Sequence, residues 1–333
     1  MNSPKPTLRD RVELAIITYN RAGPLARTLE QLQRSPFAQC RITVLDNCSS
    51  DDTPGVCERF AAELDDFHVV RNPYNIGLSA NYLRAVEVTQ ATYSWILSDD
   101  EYYDFSDCDD FLAALLEAEV DLFSIGSPHL QDWELGTRTT VPELIAKGGQ
   151  FHNSFTFIAG SLFRTELFDS SHFFRGYRYG NTLYPHMPFV QDQVLRGSLI
   201  FTSRKRIVER NRGAIHETVG DFLGWLVGWA RACETIEDPH LRQSAIYQAI
   251  GEPREWRRQV AIHTMLTKLD APDRLPHYLS DLLVICRGAQ RAAVAASVPM
   301  AVLPRPLYAL VRRVVRRRRG MSMEDPSFDE FRL

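Results

Sequence analysis

Three carboxylates arrive together at Asp99, Asp100 and Glu101, directly after the apolar run Trp95–Leu97 in the stretch SWILSDDEYY. Like charges this close raise one another's pKa and cost stability, so something positive should compensate them. No Lys or Arg stands close in the chain; the nearest are Arg84 and Arg138. A bound divalent cation is the simplest remaining compensation, and a solvated acidic turn is the alternative. The trio could hold Mg²⁺ or Mn²⁺ through one or two oxygens, with diphosphate oxygens completing the shell. Three further polar clusters are spaced along the first hundred residues: Thr18-Tyr19-Asn20-Arg21, the run from Asp46 to Asp52, and Asn72 to Gly77. Asp46 could accept hydrogen bonds from a base or ribose. Tyr19 or Arg21 could cover the flat face of a base.

The elements between these clusters should position them. ELAIIT (13–18), RITVLD (41–46), FHVVRN (67–72) and YSWILS (93–98) are short apolar runs rich in β-branched or aromatic residues and read as buried strands. PLARTLEQLQRS (24–35) sets Leu25, Leu29 and Leu32 at helical spacing after Pro24; residues 51–64 and 78–90 are further helices. Strand and helix therefore alternate with short connections, which predicts an α/β fold with a mainly parallel sheet flanked by helices. In such sheets ligands bind at the carboxyl ends of the strands, where all four polar clusters fall. Beyond residue 105 the alternation weakens: a helix is expected over 108–119 and strands over 120–126, 154–164 and 205–210. From about 219 the pattern is mostly helical. The expected organisation is a binding and catalytic domain over 1–218 and a helical region with a basic amphipathic tail over 219–333.

Composition narrows the classes. The chain has 333 residues, 44% of them hydrophobic, and a formal net charge of −4, so no global attraction to nucleic acid is expected. None of the six cysteines forms a CxxC pair or sits beside a His at metal-ligand spacing. A reduced, cytoplasmic protein is expected. The first twenty residues carry no signal-peptide pattern, and no stretch reaches the roughly 20 apolar residues a membrane span needs. A G-x-G-x-x-G turn after the first strand is missing, because TYNRAG holds one glycine, and so is a Walker-type loop.

The set IITYNRAGPLARTLEQL, ITVLDNCSSDDT, VVRNPYNIGLSANYLRAV and WILSDDE, in this order and spacing, resembles the nucleotide-binding half of the family 2 glycosyltransferases of the GT-A fold, over about residues 12–102. The resemblance implies an enzyme that binds a UDP-, dTDP-, GDP- or CDP-sugar with Mn²⁺ or Mg²⁺. It implies base contacts from Thr18 and Asp46, with Tyr19, Asn20, Arg21, Asn75, Gly77 and Asp100 in the same nucleotide site. Asp99 would face the ribose or phosphate side and share the metal with Glu101. The usual Asp-x-Asp ends here in Glu, a longer but still hard oxygen ligand. Asp46-Asn47-Cys48 stands where an Asn-Gly or Asp-Gly turn is more common.

The second half of the pattern is less complete. Inverting members carry a carboxylate that opens a helix after the acceptor region, and Gln191-Asp192 matches it. Asp192 is the expected general base; a helix cap is the other reading of the same residue. His216 is a candidate third metal ligand, with a structural or exposed histidine as the alternative. Arg210 and Arg212 could clamp the diphosphate or form a solvated basic loop. Trp133, Tyr177, Tyr179, Tyr184 and His186 could line the acceptor pocket or belong to the core.

The Gln-x-x-Arg-Trp signature of processive members is absent, which favours transfer of one sugar. The acceptor would be a saccharide or lipid-linked saccharide in bacterial polysaccharide, O-antigen or capsule assembly. The basic stretch 304–320 could lie on anionic lipid at the inner face of the plasma membrane, or form an oligomer contact. Two other classes stay open: a sugar nucleotidyltransferase, and a non-catalytic nucleotide- or sugar-binding module.

Overall fold

The structure is a computed structural model that describes residues 6–117, 119–125, 138–140, 157–178, 180, 184–196, 199–202, 206–209, 222–248, 253–270, 272–304 and 307. It divides into two compact units, Met1–Arg212 and Gly213–Leu333.

The first unit is built on an eight-stranded sheet. In chain order its elements are α1 (Leu8–Arg11), β1 (Val12–Thr18), α2 (Ala22–Gln33), β2 (Arg41–Asp46), α3 (Thr53–Ala61), β3 (Phe67–Arg71), α4 (Leu78–Val88) and β4 (Tyr93–Ser98). They are followed by β5 (Tyr102–Tyr103), α5 (Asp109–Glu117), β6 (Leu122–Ser124), β7 (Arg138–Thr140) and β8 (Ser161–Arg164). The unit ends with α6 (Ser170–Arg178), α7 (Met187–Arg196), β9 (Leu199–Thr202) and β10 (Val208–Glu209). The strand order is β3-β2-β1-β4-β8-β6-β9-β7, and β5 pairs with β10 in a separate ribbon. β3, β2, β1 and β4 are all parallel, whereas β8 runs antiparallel to both β4 and β6.

The expected strands over 13–18, 41–46, 67–72 and 93–98 are present within a residue at each end. β1 is buried at all seven positions, which is why it reads as a continuous apolar run rather than an alternation. On α2, Leu25, Leu29 and Leu32 are all fully buried, as their spacing requires. Under α2 and α5 lies an aromatic cluster in which the Trp95 ring meets Phe37, Tyr103, Phe105 and Phe111 edge-on at 5.2–6.2 Å. Such edge-to-face pairs fix ring orientation as well as burying area. They anchor β4 just before the acidic trio.

The register of the sheet brings the site together. Thr18 pairs with Asp46 across β1–β2, and Ile17 pairs with Ser98 across β1–β4. Thr18, Asp46 and Asp99 thus reach the same carboxyl edge.

Later in the chain the expectations need correction. The strand expected over 154–164 begins only at Ser161, after a 3₁₀ turn at Ile158–Gly160; residues 154–156 lie outside the described residues. The strand expected over 205–210 is the two-residue β10.

The second unit is helical over its described residues: α8 (Phe222–Ala232), α9 (Pro239–Gln248), α10 (Pro253–Asp270), α11 (Leu275–Ile285) and α12 (Gly288–Val302). Trp229 and Trp256 are buried in it, and the Trp229 indole N–H donates to the Ala245 carbonyl at 2.9 Å. Among the described residues no helix is long and apolar enough to cross a membrane. The basic stretch 304–320 lies outside the described residues except for Pro304 and Leu307.

Candidate active site

Asp99 follows the last residue of β4 and is almost completely buried, at 4% exposure. The Thr18 hydroxyl donates to its Oδ2 at 2.6 Å, across the gap between β1 and β4. Burial, and then the neighbouring Asp100 carboxylate, push the Asp99 pKa up to about 7, against the opposing pull of Thr18 and Arg21. Tyr103 is also pushed upward, by burial and by all three acidic neighbours.

The cation absent from the local sequence comes from the first polar loop. The Arg21 guanidinium forms a short ion pair with Asp100 and lies 3.6 Å from Asp99. The expectation that no arginine compensates the trio is corrected: Arg21 is far away in the chain but adjacent across the sheet edge. This also changes the part expected of Arg21, whose side chain is committed to the acidic cluster. Tyr19 beside it is 43% exposed at this edge.

The other polar loops are knitted by their own side chains. Asp46, buried at 1%, accepts the Ser49 N–H at 2.9 Å and pairs with Arg71 at 2.5 Å. Its carboxylate fixes the loop after β2, at the edge where its base contact is expected. Asn20, at positive φ, accepts the Ser50 N–H through Oδ1 at 2.7 Å. Asn75 Oδ1 accepts from Asn47 Nδ2 at 2.7 Å and from the Gly77 N–H at 2.8 Å. Asn72 donates to both Asn47 and Asn81, and Asn81 donates to the Leu45 carbonyl. Arg71 and Asn81 were missed as site-forming residues, and Asn47 and Asn72 were seen only as members of polar loops. The dense asparagines of NPYNIG were the available signal, since side-chain amides hold turns in place of backbone partners.

This knitting leaves the N-terminus of α4 open. Its N-cap is Gly77, at φ +85°, with no side chain to cap the first turn. The Ser79 hydroxyl is buried without a partner. Both border a recess of about 410 Å³ that runs to Tyr177, Arg178 and Gly180 at the end of α6. First-turn N–H groups carry the positive end of the helix dipole, so this wall favours an anionic group. Gly77→Ala is expected to cost about 1–2 kcal/mol, because a Cβ at this φ is strained although nothing stands within 4 Å of it. Urea unfolding checks the stability, and donor titration should show weaker binding as the turn shifts.

Asp192 is placed differently from its expected position. It is the sixth residue of α7, not its opening residue, so the capping reading is excluded. Arg175 from α6 grips both carboxylate oxygens, with Nη1 at 3.0 Å from Oδ1 and Nη2 in short contact with Oδ2. His172 Nε2 lies 2.9 Å from Oδ2. Burial alone would raise the Asp192 pKa, but His172 and Arg175 together bring it down to about 2. Neither partner was found in the sequence, since SSHFFRGYR carries no motif.

Tyr184 and His186 are buried, and His186 packs 5.6 Å from the Tyr82 ring, which makes both core residues. Tyr177 is exposed at the recess, its hydroxyl donating to Glu87 at 2.9 Å. Trp133, Tyr179, Arg210, Arg212 and His216 lie outside the described residues.

The donor set can be tested against a divalent cation. Among the described residues no group of three His, Cys, Asp or Glu side chains is arranged to hold one. Asp99 and Glu101 nevertheless offer hard oxygens at a cluster of three carboxylates that Arg21 compensates only in part, since burial and Asp100 still raise the Asp99 pKa. Two carboxylates completed by substrate phosphate are the ordinary arrangement for Mg²⁺ or Mn²⁺, so the residues fit as a partial shell.

The chain resembles known proteins in sequence and in fold. Among curated proteins, charged multivesicular body protein 7 of Xenopus tropicalis is 35% identical over 114 residues, 34% of this chain but only 24% of that protein's length. Abequosyltransferase RfbV of Salmonella typhimurium is 24% identical over 253 residues, covering 65% of this chain and 73% of that protein. Among solved structures, S. aureus TarS 1–349 in complex with UDP-GlcNAc superposes with TM-score 0.56 at 16% identity, over 94% of this chain and 93% of that one. The mannosyltransferase PcManGT of Pyrobaculum calidifontis, in complex with GDP-Man and Mn²⁺, has TM-score 0.50 at 16% identity, over 92% and 84%. These structural likenesses bear out the GT-A fold. The model of glycosyl transferase family 2 matches residues 14–181, which takes in the four sheet-edge loops and α6, and the chain belongs to that family.

Proposed function

We propose that the protein is an inverting, metal-dependent glycosyltransferase that moves one sugar from a nucleotide-diphosphate sugar to a saccharide or lipid-linked acceptor. The observation that carries this reading is the meeting of Thr18 and Asp99 at 2.6 Å on the carboxyl edge of the parallel sheet, with the Asp99 carboxylate buried beside Asp100 and its pKa raised. That is where a doubly wound sheet binds its ligand. Donor binding is assigned to residues 1–218. Tyr19 covers the base, and the open first turn of α4 faces an anionic or hydroxyl-rich part of the donor. Asp99 and Glu101 would hold Mn²⁺ or Mg²⁺, with His216 a further candidate. Bound there, the ion would supply Lewis-acid neutralisation of the leaving diphosphate.

Asp192 accepts the proton of the acceptor hydroxyl. With a pKa of about 2 it is a weak base but is always ionised at neutral pH. A weak base suffices where attack is on an oxocarbenium-like centre, because the hydroxyl becomes strongly acidic only as the new bond forms. Similarity to an abequosyltransferase supports a place in bacterial surface-polysaccharide assembly. A lipid-linked acceptor would suit peripheral contact of the basic stretch 304–320 with the inner face of the plasma membrane.

Nucleotide release from a panel of UDP-, dTDP-, GDP- and CDP-sugars, with Mn²⁺ and then with EDTA, tests the proposal. One donor should release nucleotide with Mn²⁺ and lose at least about tenfold in rate with EDTA, given the usual weight of charge stabilisation at a leaving group. Equal rates with and without EDTA would remove the metal from the mechanism. A panel with no binding at all would favour a non-catalytic module.

A further inference from the structure

His172 is an unusual residue to find without a solvent path. Its ring is buried at 1% exposure inside an aromatic box, 5.6 Å from Phe168 and 5.4 Å, edge-on, from Phe189. Phe168 and Phe189 stack on each other at 4.2 Å, and Phe163 closes the group at 5.1–5.2 Å. Both ring nitrogens meet carboxylates: Nδ1 lies 2.8 Å from Asp169 Oδ1 and Nε2 lies 2.9 Å from Asp192 Oδ2. Nδ1 is also within 3.1 Å of the Asp169 N–H. The Asp169 N–H donates to Nδ1, which leaves Nε2 as the nitrogen that carries the proton towards Asp192, close to the carboxylate but not aligned with it as a hydrogen bond.

Asp169 is fixed in turn. It stands before the first residue of α6, where its Oδ1 accepts the Ser171 N–H at 2.9 Å, the Ser171 hydroxyl at 2.6 Å and the His172 N–H at 3.1 Å. The start of α6 therefore locks His172, and one turn later Arg175 closes on the same Asp192 carboxylate from the more exposed side. These two are the charged or titratable groups that face Asp192, and both come from α6; Asp169 reaches it only through His172. Such a chain has no evident use for folding alone. A buried imidazole and a forked guanidinium on one carboxylate are costly to desolvate, and apolar residues of like volume would pack the same space at less cost.

We infer that His172 and Arg175 are positioning residues for glycosyl transfer, holding the Asp192 carboxylate ionised and in one orientation between them, with His172 as the rigid anchor and Arg175 as the outer clamp. The inference rests on Asp192 being the base of the proposed reaction, and its test separates the two. The first measurement is a carboxyl ¹³C NMR titration of the full chain, with the Asp192 resonance assigned by its loss in Asp192→Asn. In the wild type the resonance should not titrate down to about pH 3. In Arg175→Gln its midpoint should move up into the ordinary carboxylate range, near 4. Arg175→Lys should fall between, since a point charge replaces one arm of the fork.

His172→Gln should act in the same direction. Where it does not fold, Arg175 decides. An unmoved Asp192 midpoint in Arg175→Gln would overturn the inference, whatever the enzyme does. The second measurement is turnover with whichever sugar nucleotide of the panel above is used. Arg175→Gln should lower kcat about 10- to 100-fold with donor KM unchanged, and Arg175→Lys should recover part of it. A moved midpoint with Asp192→Asn fully active would leave the carboxylate clamp standing and sink the base assignment instead.

Discussion

Asp99→Asn is expected to abolish turnover and, in the same preparation, to raise the melting temperature of the ligand-free protein at pH 8. The two effects have one cause. Asp99 is buried under Thr18, and burial followed by the Asp100 charge lifts its pKa to about 7 from an ordinary value of 3.8. A folded pKa above the unfolded one means that the native state binds the proton more tightly. Ionisation therefore costs nothing below about 4, costs progressively more up to about 7, and is a constant penalty above that. At pH 8 the penalty is on the order of 4 kcal/mol at most, from roughly 1.4 kcal/mol for each pH unit between the two values. Asn keeps the size and can still accept from the Thr18 hydroxyl, so it removes the penalty without a cavity. Arg21 retains its pairing with Asp100.

Thermal scans of both proteins from pH 4 to pH 8 check this. Their melting temperatures should converge at pH 4 and separate by several degrees, variant above wild type, between pH 5 and pH 8. Mn²⁺ with the donor should raise the wild type and leave the variant unmoved, because ligands stabilise only the form that binds them. A loss of kcat/KM of about 10³ is the expected kinetic counterpart of losing a charge-stabilising contact. A variant less stable than wild type at pH 8 would show that Asp99 is adequately compensated without a ligand.

The strain carried by Asp99 also explains which parts of the site could be seen in the sequence. β1, β2 and β4 are buried on both faces, so each appears as an uninterrupted apolar run that ends where the polar loop begins. The edge position of Asp99 follows from that boundary alone. What compensates it does not, because Arg21 and Asp100 are 79 residues apart and meet only through the β1–β4 pairing. Asp46 stands at the expected edge, but its burial under Arg71 depends on β2–β3 register, which no local pattern states. In the second half of the unit the elements themselves were hidden. α6 is nine residues long, with three aromatics and a glycine, and its helical period is carried by His172 and Gly176 rather than by leucines. Gly176 suits this position, since a Cβ would lie 2.7 Å from the Leu83 side chain of α4 and 3.1 Å from the Pro185 carbonyl oxygen, and both would have to shift. A close approach between helices thus fixes α6 against α4, and with it the pair that holds Asp192.

Asp192→Asn should produce the opposite pattern to Asp99→Asn, and the contrast is the sharpest test of the two assignments. The pKa of Asp192 is lowered to about 2, because His172 and Arg175 outweigh its burial. Its ionised form therefore stabilises the fold above about 4, and that contribution is lost as pH falls towards 2. The half-buried site keeps the effect to about 1–2 kcal/mol, less than the full linkage value. Asn at this position leaves His172 and Arg175 facing each other without their anion, so the variant should melt below the wild type at pH 8. Donor KM should stay within about twofold, while kcat falls by about 10³ or more, the loss expected when a positioned base is removed from a group that acts only in the transition state. Two carboxylates in one catalytic unit would then differ in every readout: one strained and donor-binding, the other stabilised and needed only for turnover. Environments that push paired carboxylates apart in pKa are how one fold separates such roles. If Asp192→Asn instead weakened donor binding as strongly as it slowed turnover, Asp192 would belong to the donor site, and the proton of the acceptor hydroxyl would have to leave by another group.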